Sequence, residues 1–398
     1  MNILKRTTFV ILLAVFFVVT CAKDGRITTM KDLKVGDWTD HGFSEAQKLE
    51  LKSIMEDAVE TGEIAGCSVL LIHRGEVIFK EASGYADIET KRPFRVDDIC
   101  ALASVTKPFT ATLLMILEEE GSLSLDDPAD DYLPEFKGIC LRGKGPSRSV
   151  PTIRQLLSHT AGLGSSNDFR SEMVDIISDG TLADVSAFLA GKELITEPGT
   201  KYFYTSAGYS IAGRIAEVSS GKEFSELLQQ RLLNPIMAHS TTFHPSETVL
   251  KNVPRSFARV NGKLKLQGSR FRGACVRPGG GLFATMEDVG KFMMLHRNGG
   301  LVNDYRIVSS ENLSLMYESQ PNTKHGYGLG FNVLKKDSDG RGARIRHLGA
   351  SGTMCWFDFD LDLIAVFFTQ MPQRQIRKFR ERLMESVMTI FEEANQSS

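Results

Sequence analysis

The sequence has little of what metal-binding and disulfide-stapled proteins require. Its 398 residues contain six cysteines and eight histidines, with no Cys-x-x-Cys pair and no His-Glu-x-x-His spacing. Metal sites are recognised in sequences by closely spaced ligands of these kinds, so we expect no metal and no cofactor. The five cysteines after residue 21 are odd in number and lie mostly among apolar neighbours, which predicts small buried side chains rather than disulfides.

The chain also lacks an excess of charge of either sign. Its 47 basic and 49 acidic residues give a net charge of −2. Proteins that bind nucleic acid need a basic patch to displace counterions, so we exclude nucleic acid as a partner. With 42% hydrophobic and 24% charged residues, the composition is that of a globular protein. We find no internal repeat and no low-complexity segment.

No apolar run is long enough for an ordinary membrane span. The uncharged run TTFVILLAVFFVVT at residues 7–20 has 14 residues, whereas a spanning helix needs ~20. Two basic residues precede the run, so residues 1–20 are predicted to be an export signal. Cleavage before Lys23 is one alternative. Residues 18–21 also resemble a bacterial lipobox, which would leave a lipidated Cys21 attached to the membrane, and a retained anchor is the third alternative.

The first part of the folded chain has mixed helical and strand patterns. Residues 43–62 have helical apolar spacing with Ser44 as the N-cap. Residues 67–84 read as two strands joined at Arg74-Gly75. A helix is predicted to begin at Ser104, because Pro108 is tolerated near a first turn, and to end at Gly121.

Helical segments with irregular connections dominate residues 121–320, and strands return after them. An amphipathic helix, with Ile376 to Ile390 on its apolar side, closes the chain. The four predicted strands are residues 326–335, 343–349, 353–360 and 363–370.

These patterns predict an α/β (α+β) fold. An antiparallel sheet built from both chain ends would be flanked by helices, with a mainly helical region inserted. Residues 21–42 are predicted to be a linker. Residues 43–120 and 321–398 would form the sheet region, and residues 121–320 the helical region.

The segment Ser104-Val105-Thr106-Lys107 suggests a catalytic pair. Residues three apart share a helical face, so Lys107 can reach the Ser104 hydroxyl. A serine hydroxyl is a weak nucleophile until a neighbour takes its proton, and a partly neutral lysine can do so. A second copy of the spacing, Ser219 and Lys222, is interrupted by Gly221, which we expect to end its helix.

Seven segments, in order along the chain, resemble the serine β-lactamase-like superfamily. The similarity is closest to class C β-lactamases, the related esterases and D-peptide hydrolases. The segments are GYADIETKRPFRVDDICALASVTKPFTA (84–111), LDDPADDYLPEF (125–136), IRQLLSHTAGL (153–163), EPGTKYFYTSAGYSIAGRIAE (197–217), PGGGLFATMEDVGKF (278–292), YGLGF (327–331) and HLGASG (347–352).

The resemblance implies catalytic roles for three residues. Ser104 would be the nucleophile, while Lys107 and Tyr204 would move its proton, with the base left open between them. The backbone N–H groups of Ser104 and Ala350 would form the oxyanion hole. Gly349 would let the substrate approach the strand edge closely.

Two predicted substrate-binding positions depart from the family pattern. Ser206 stands where the family usually has asparagine, and its shorter side chain cannot make the same contact with an acylamide. His347 replaces a lysine and so removes a fixed positive charge. Both changes favour an ester or a small amide over a β-lactam or a D-Ala-D-Ala peptide.

The resemblance therefore implies an exported serine hydrolase, most simply a carboxylic ester hydrolase. β-Lactamase and D-amino-acid peptidase or amidase activities are alternatives, and a non-catalytic envelope protein that binds peptidoglycan fragments is a rival of another class. The expected partner is a small-molecule ester or amide, and the oligomeric state stays open. The expected location is the bacterial envelope, periplasmic or lipid-anchored, or the exterior.

Three further features have structural interpretations. His159 is expected to fix a loop, because the family's proton relay uses lysine and tyrosine. Residues 279–281 are expected to form a tight turn beside the pocket. The basic run from Arg374 to Arg382 is expected to be the solvated face of the last helix, with contact to anionic lipid if Cys21 is lipidated.

Overall fold

The computed structural model describes residues 32–164, 172–268, 273–324 and 326–397. The predicted export signal and Cys21 lie outside these ranges. Among the described helices, none combines the length and apolar character needed to cross a membrane. Nor do the described ranges contain three or more His, Cys, Asp or Glu side chains arranged to hold a metal ion.

One eight-stranded sheet organises the molecule. Its strands are β1 (Lys34–Val35), β2 (Gly66–His73), β3 (Glu76–Asp87), β4 (Arg92–Pro93), β5 (Asn332–Lys336), β6 (Gly342–Leu348), β7 (Met354–Asp358) and β8 (Leu363–Phe368). Their spatial order is β1-β3-β2-β8-β7-β6-β5, with β4 added beside β3. All neighbours are antiparallel except β1 and β3.

The pairing of β2 with β8 joins the two chain ends and confirms the predicted fold class. Val69 lies opposite Phe367 in this antiparallel pair. All eight residues of β2 are buried. Alternate side chains of a strand point to opposite faces, so Leu70 and Leu71 enter two different apolar clusters. The sheet therefore has a packed layer on each face.

Helices form both layers and most of the inserted region. In the described part of the chain they are α1 (Glu45–Glu60), α2 (Thr106–Glu119), α3 (Ile153–Leu157), α4 (Val174–Asp179), α5 (Leu182–Ala190), α6 (Ala207–Ser220), α7 (Phe224–Leu228), α8 (Glu247–Asn252), α9 (Met286–Arg297), α10 (Ser310–Tyr317) and α11 (Arg377–Ser397). Helices α1 and α11 pack together on one sheet face, while α9 packs on β2 and β8 from the other. The proposed division of the chain at residue 320 stays a prediction. Helix α9 precedes residue 320 in the chain, and it packs on the sheet.

The structure has a helix start, a helix end and a turn at the residues that short sequence patterns predicted. Ser44 caps α1 by accepting a hydrogen bond from the Gln47 N–H, and Gln47 reciprocates in a capping box. Gly221 ends α6 in a left-handed conformation, with φ of 69°, as expected for the second Ser-x-x-Lys copy. Residue Arg74 adopts a positive φ of 52° in the predicted hairpin turn.

Three expectations need correction. Residues 32–42 are not a free linker, because β1 joins the sheet and Trp38 is buried against an aromatic cluster. The strand predicted from residue 326 begins only at Asn332, because Gly330 turns the chain with a φ of 86°. Arg380 is not solvated, since only 3% of its surface is exposed.

The segment that contains Ser104 lies in a strained turn between the sheet and a buried helix. Residues Ala103–Val105 form a 3₁₀ turn, and α2 follows it directly. Ala103 has a positive φ of 48°, which is rare for a residue with a side chain and recurs at functional sites. Twelve of the 14 residues of α2 are buried, so Ser104 is held at the end of a rigid element.

Candidate active site

Ser104 and Lys107 meet as the spacing predicts. The Lys107 Nζ lies 3.2 Å from the Ser104 Oγ. The same amine is 2.6 Å from the carbonyl oxygen of Gly279 and 3.1 Å from the Ser206 Oγ. The Nζ thus has a polar neighbour at each of its three hydrogen-bonding positions, and these contacts hold it beside the serine hydroxyl.

Burial changes the protonation of this lysine. Lys107 has no exposed surface, and no carboxylate of the described residues forms an ion pair with it. Loss of hydration disfavours the ammonium form, so burial lowers the pKa of Lys107 to about 7. A large fraction of this amine is thus neutral near neutral pH, and a neutral amine can accept the proton of Ser104.

Tyr204 contacts the same hydroxyl from another element. Its phenol is hydrogen-bonded to Ser104, and the Lys107 Nζ lies 4.9 Å from the centre of its ring. The residue as a whole is 43% exposed, because the ring borders the cavity. The titrating hydroxyl points inward, and burial there raises the pKa of Tyr204 well above its usual value. The phenol therefore stays protonated and can donate.

Ser206 lines the cavity and also contacts Lys107. Its Oγ lies 3.1 Å from the Lys107 Nζ. A Cβ added to Gly279 would lie 2.8 Å from the Ser206 Cβ, so Gly279 must lack a side chain for the two segments to approach. Residues 279–281 thus form the expected turn beside the pocket, and the role of Ser206 in substrate binding stays a prediction.

His347 lies in the wall of the cavity with both ring nitrogens engaged. One nitrogen, Nε2, lies 3.1 Å from the Tyr327 hydroxyl, and the other, Nδ1, lies 3.1 Å from the carbonyl oxygen of Leu348. Burial, reinforced by the charge of Lys107, lowers the pKa of His347 to about 3. The ring is therefore neutral at physiological pH, with Nδ1 donating to Leu348 and Nε2 accepting from Tyr327.

The turn after β6 is tied to the segment that precedes Ser104. The Thr353 Oγ1 donates to the carbonyl oxygen of Leu102 at 2.7 Å, and the Ser351 Oγ donates to that of Ala101 at 2.7 Å. Ala350 lies in this turn and is exposed to the cavity. These bonds bring the predicted oxyanion-hole residues, Ser104 and Ala350, to one cavity wall.

The cavity itself has a volume of about 540 Å³. Six of its lining residues carry predicted site roles: Ser104, Tyr204, Ser206, His347, Gly349 and Ala350. A larger cavity of about 830 Å³ lies elsewhere, beside His41 and His73, and contains none of these residues. The chemistry therefore identifies the smaller cavity as the candidate active site.

Sequence reasoning missed several residues around this site. Tyr209 and Tyr327 are fully buried and place their hydroxyls 3.5 Å apart, between α6 and His347. Their aromatic side chains resembled core residues, and nothing in the local spacing distinguished them. Gln373 also lines the cavity. Arg374 was predicted on the solvated face of the last helix, but α11 begins only at Arg377, and Arg374 lines the cavity instead.

His159 fixes the Tyr204 segment, as expected. Its carbonyl accepts the Phe203 N–H at 2.8 Å, and its ring Nδ1 accepts the Thr205 N–H at 3.2 Å. The ring also lies 4.4 Å from that of Tyr204, centre to centre. Burial lowers the pKa of His159 far below its usual value, so the ring stays neutral and keeps this acceptor.

A profile of the Beta-lactamase family matches residues 51–388, which contain seven of the eight strands of the sheet, α2 and every residue of the cavity. The chain belongs to the Beta-lactamase family. Similarity to solved structures of the same fold agrees with this assignment. EstCE1, "a hydrolase with promiscuous acyltransferase activity", is 23% identical with a TM-score of 0.73, covering 85% of this chain and 98% of that one.

Two further proteins similar to this Beta-lactamase family member are matched over very different shares of their own length. A family VIII carboxylesterase structure is 22% identical with a TM-score of 0.69, covering 86% of this chain and 97% of the esterase. Protein flp of Staphylococcus aureus (strain MW2) is 29% identical over 194 residues, 49% of this chain and 38% of flp. The chain thus matches well under half the length of that curated relative.

The geometry makes Gly349 a sensitive position in this member of the Beta-lactamase family. A Cβ there would lie 2.1 Å from the Thr353 Oγ1 and 2.3 Å from the Leu102 oxygen. We expect Gly349→Ala to lower the free energy of unfolding by about 1–3 kcal/mol, because it forces the turn away from Leu102. Urea unfolding followed by circular dichroism measures this change.

Gly191 is the matched control for that substitution. It has a φ of −73°, and an added Cβ would meet nothing closer than 3.5 Å. Gly191→Ala should be neutral or slightly stabilising, since alanine restricts the unfolded chain. Equal unfolding midpoints for the two variants would contradict the predicted collision at Gly349.

Proposed function

We propose that this protein hydrolyses carboxylic esters through an acyl-enzyme formed on Ser104. The observation that carries the proposal is the 3.2 Å contact between the Ser104 Oγ and a buried lysine whose pKa is about 7. A nucleophile beside a base that is neutral at working pH is the arrangement that acyl transfer needs. The family membership and the esterase neighbours support the same reading.

In the proposed acylation step, the Ser104 Oγ attacks the ester carbonyl as its proton passes to the Lys107 Nζ. The backbone N–H groups of Ser104 and Ala350 would stabilise the oxyanion that forms. Collapse of this intermediate breaks the bond to the alcohol, which leaves with a proton. The Tyr204 phenol touches the Ser104 oxygen and keeps its proton at neutral pH, so it can relay a proton to the alcohol.

In the proposed deacylation step, water attacks the acyl-serine and gives its proton to the same base. The acid is released and Ser104 regains its hydroxyl, so one ester and one water yield one acid and one alcohol. We assign the base to Lys107 rather than Tyr204. Burial lowers the pKa of the amine toward neutrality and raises that of the phenol.

Two features favour an ester over a β-lactam or a D-Ala-D-Ala peptide. Ser206 directs its hydroxyl to Lys107, which leaves no side-chain amide at this position for an acylamide group. His347 is neutral and both its nitrogens are occupied, so it offers no positive charge to a substrate carboxylate. An ester needs neither contact.

The test compares three substrates with the purified protein: p-nitrophenyl butyrate, a chromogenic cephalosporin and a D-Ala-D-Ala peptide. We expect the highest kcat/KM for the ester, together with a butyryl adduct on the Ser104 peptide in mass spectra of rapidly quenched enzyme. Faster turnover of the cephalosporin or the peptide would reject the ester assignment. Specific binding of peptidoglycan fragments without turnover of any substrate would favour the non-catalytic rival.

The pH dependence of ester turnover follows from Lys107. Only the neutral amine accepts the Ser104 proton, so kcat/KM should rise with pH through an apparent pKa near 7 and level off above it. Below that pH the rate should fall roughly tenfold per pH unit. Initial rates from pH 5 to 9, corrected with the Ser104→Ala protein, measure the profile. A flat profile between pH 6 and 8 would exclude Lys107 as the titrating base.

We also propose that residues 1–20 direct export, with cleavage before Lys23 or lipidation at Cys21. The support is the short apolar run behind two basic residues. Intact-mass analysis of the protein from a bacterial host identifies the new N-terminus. An uncleaved chain in the cytoplasmic fraction would reject export.

A further inference from the structure

Two arginines near the start of α11 each have a buried guanidinium nitrogen without a hydrogen-bond partner. Arg380 is only 3% exposed, and its Nη1 has no hydrogen-bond partner. The buried Nε of Arg346, on β6, also lacks a partner. Throughout residues 32–164, 172–268, 273–324 and 326–397, no carboxylate lies within ion-pair distance of either guanidinium. Buried charges are normally paired, so this pair needs an explanation.

The fold brings the two side chains to one place. Arg346 lies opposite Trp356 of β7, and Trp356 shares an apolar cluster with Phe379 and Leu383 of α11. Side chains of a helix tilt toward its N-terminus, so Arg380 reaches back over the first turn. Burial, and then the charge of Arg346, lowers the pKa of Arg380 to about 10, as expected for neighbouring cations.

Positive groups outnumber negative groups around these two arginines. The first turn of α11 contains no acidic residue, although the positive end of a helix favours one. It instead carries Arg377 and Lys378, which are exposed. The charge of Glu381 acts on both arginines, but this carboxylate is half exposed and lies 3.9 Å from the Arg377 Nε, so it offsets only part of the positive charge.

We propose that Arg346, Arg380 and the first turn of α11 form a binding site for an oxyanion of the phosphate type. Planar guanidinium groups bind phosphate oxygens in pairs, and the free N–H groups of a helix N-terminus add further donors. Arg346 is partly exposed, which provides the approach. The site does not depend on ester hydrolysis, so its test is independent of that proposal.

The site adjoins the candidate active site without sharing its catalytic groups. Asn332, which lines the cavity, is the cross-strand partner of Arg346. The segment before α11 also connects the two, because the Gln373 N–H donates to the Ala350 carbonyl oxygen at 3.2 Å. A bound oxyanion would therefore order the chain beside the predicted oxyanion hole.

The phosphate group could be free in solution or part of a phospholipid headgroup. Inorganic phosphate tests the first source, and vesicles of phosphatidylglycerol, compared with vesicles of phosphatidylcholine, test the second. Binding of inorganic phosphate with no preference for anionic vesicles identifies a soluble ligand. Sedimentation with anionic vesicles that requires both arginines identifies a headgroup.

The decisive experiment is calorimetric titration of the purified protein with sodium phosphate at constant ionic strength, with sodium chloride as reference. We expect saturable binding and a rise in Tm that chloride does not produce. Arg346→Met and Arg380→Met should each weaken phosphate binding by roughly 30-fold or more, since each removes a buried donor. Lys378→Gln is the matched control, because it removes an exposed charge from the same turn.

Stability without phosphate separates loss of the site from loss of the fold. A methionine in place of an unpaired buried cation should leave the Tm in chloride unchanged or higher. If Arg380→Met unfolds, Arg346→Met gives the same binding test at a less buried position. The proposal fails if the wild type distinguishes neither phosphate from chloride nor anionic vesicles from neutral ones. It also fails if all three variants keep the same affinity.

Discussion

Replacing Ser104 with alanine should reduce turnover of p-nitrophenyl butyrate by at least about 10³-fold. The alanine has no oxygen to form the acyl-enzyme, while Lys107 and Tyr204 keep their positions. Steady-state rates and mass spectra of the quenched protein measure the loss, and the butyryl adduct should disappear with it. The cavity remains, so binding of a non-hydrolysable ester analogue should persist.

The chain offers its own control for this substitution. Ser219 occupies the same position in the second Ser-x-x-Lys copy, where its hydroxyl only donates to the Ala216 carbonyl oxygen in the last turn of α6. Ser219→Ala should retain wild-type turnover. Equal activity of wild type and Ser104→Ala would exclude Ser104 as the nucleophile.

Replacing Lys107 with methionine should have a similarly large effect, a loss of about 10³-fold in kcat. The methionine fills much of the same buried space but cannot accept the Ser104 proton. It also leaves the carbonyl oxygen of Gly279 without its 2.6 Å donor. Rates from pH 5 to 9 are the informative measurement, because the rise through pH 7 should vanish along with most of the activity.

Lys222→Met is the matched control for Lys107, since Lys222 is exposed and donates to Gln230 on the surface. Its rate and pH profile should equal those of the wild type. If Lys107→Met keeps the pH dependence near 7 while losing little rate, another group supplies the base. Circular dichroism and the Tm establish that any loss of rate occurs in a folded protein.

Much of this fold could be predicted from local patterns. The hairpin at Arg74-Gly75, the cap at Ser44 and the final strands follow from alternation and turn chemistry, which act over a few residues. The error at Trp38 has a different origin. A short polar segment with one aromatic residue reads as a linker, and only packing against the rings of Phe43, Phe79 and Phe391 makes Trp38 part of the core.

The candidate site likewise contains contacts that local spacing predicts and contacts that only the packing of distant segments creates. The Ser104–Lys107 contact could be predicted, because residues three apart on a helix are neighbours in any fold. Ser206 and His347 were identified as site positions, but their partners were not. Contact of Ser206 with Lys107, and of His347 with Tyr327, joins segments about 20 to 100 residues apart. Such pairings depend on how the turns and helices pack.

The sequence by itself determined the family pattern, the contact of Ser104 with Lys107, and a sheet built from both chain ends, because these depend on residue type and short-range spacing. The tertiary structure decided the protonation states and the buried donors left without hydrogen-bond partners. The low pKa of Lys107, the neutral His347 and the buried guanidinium nitrogens of Arg346 and Arg380 result from loss of solvent. Burial and hydration depend on which distant segments cover a group, and no local pattern contains that information.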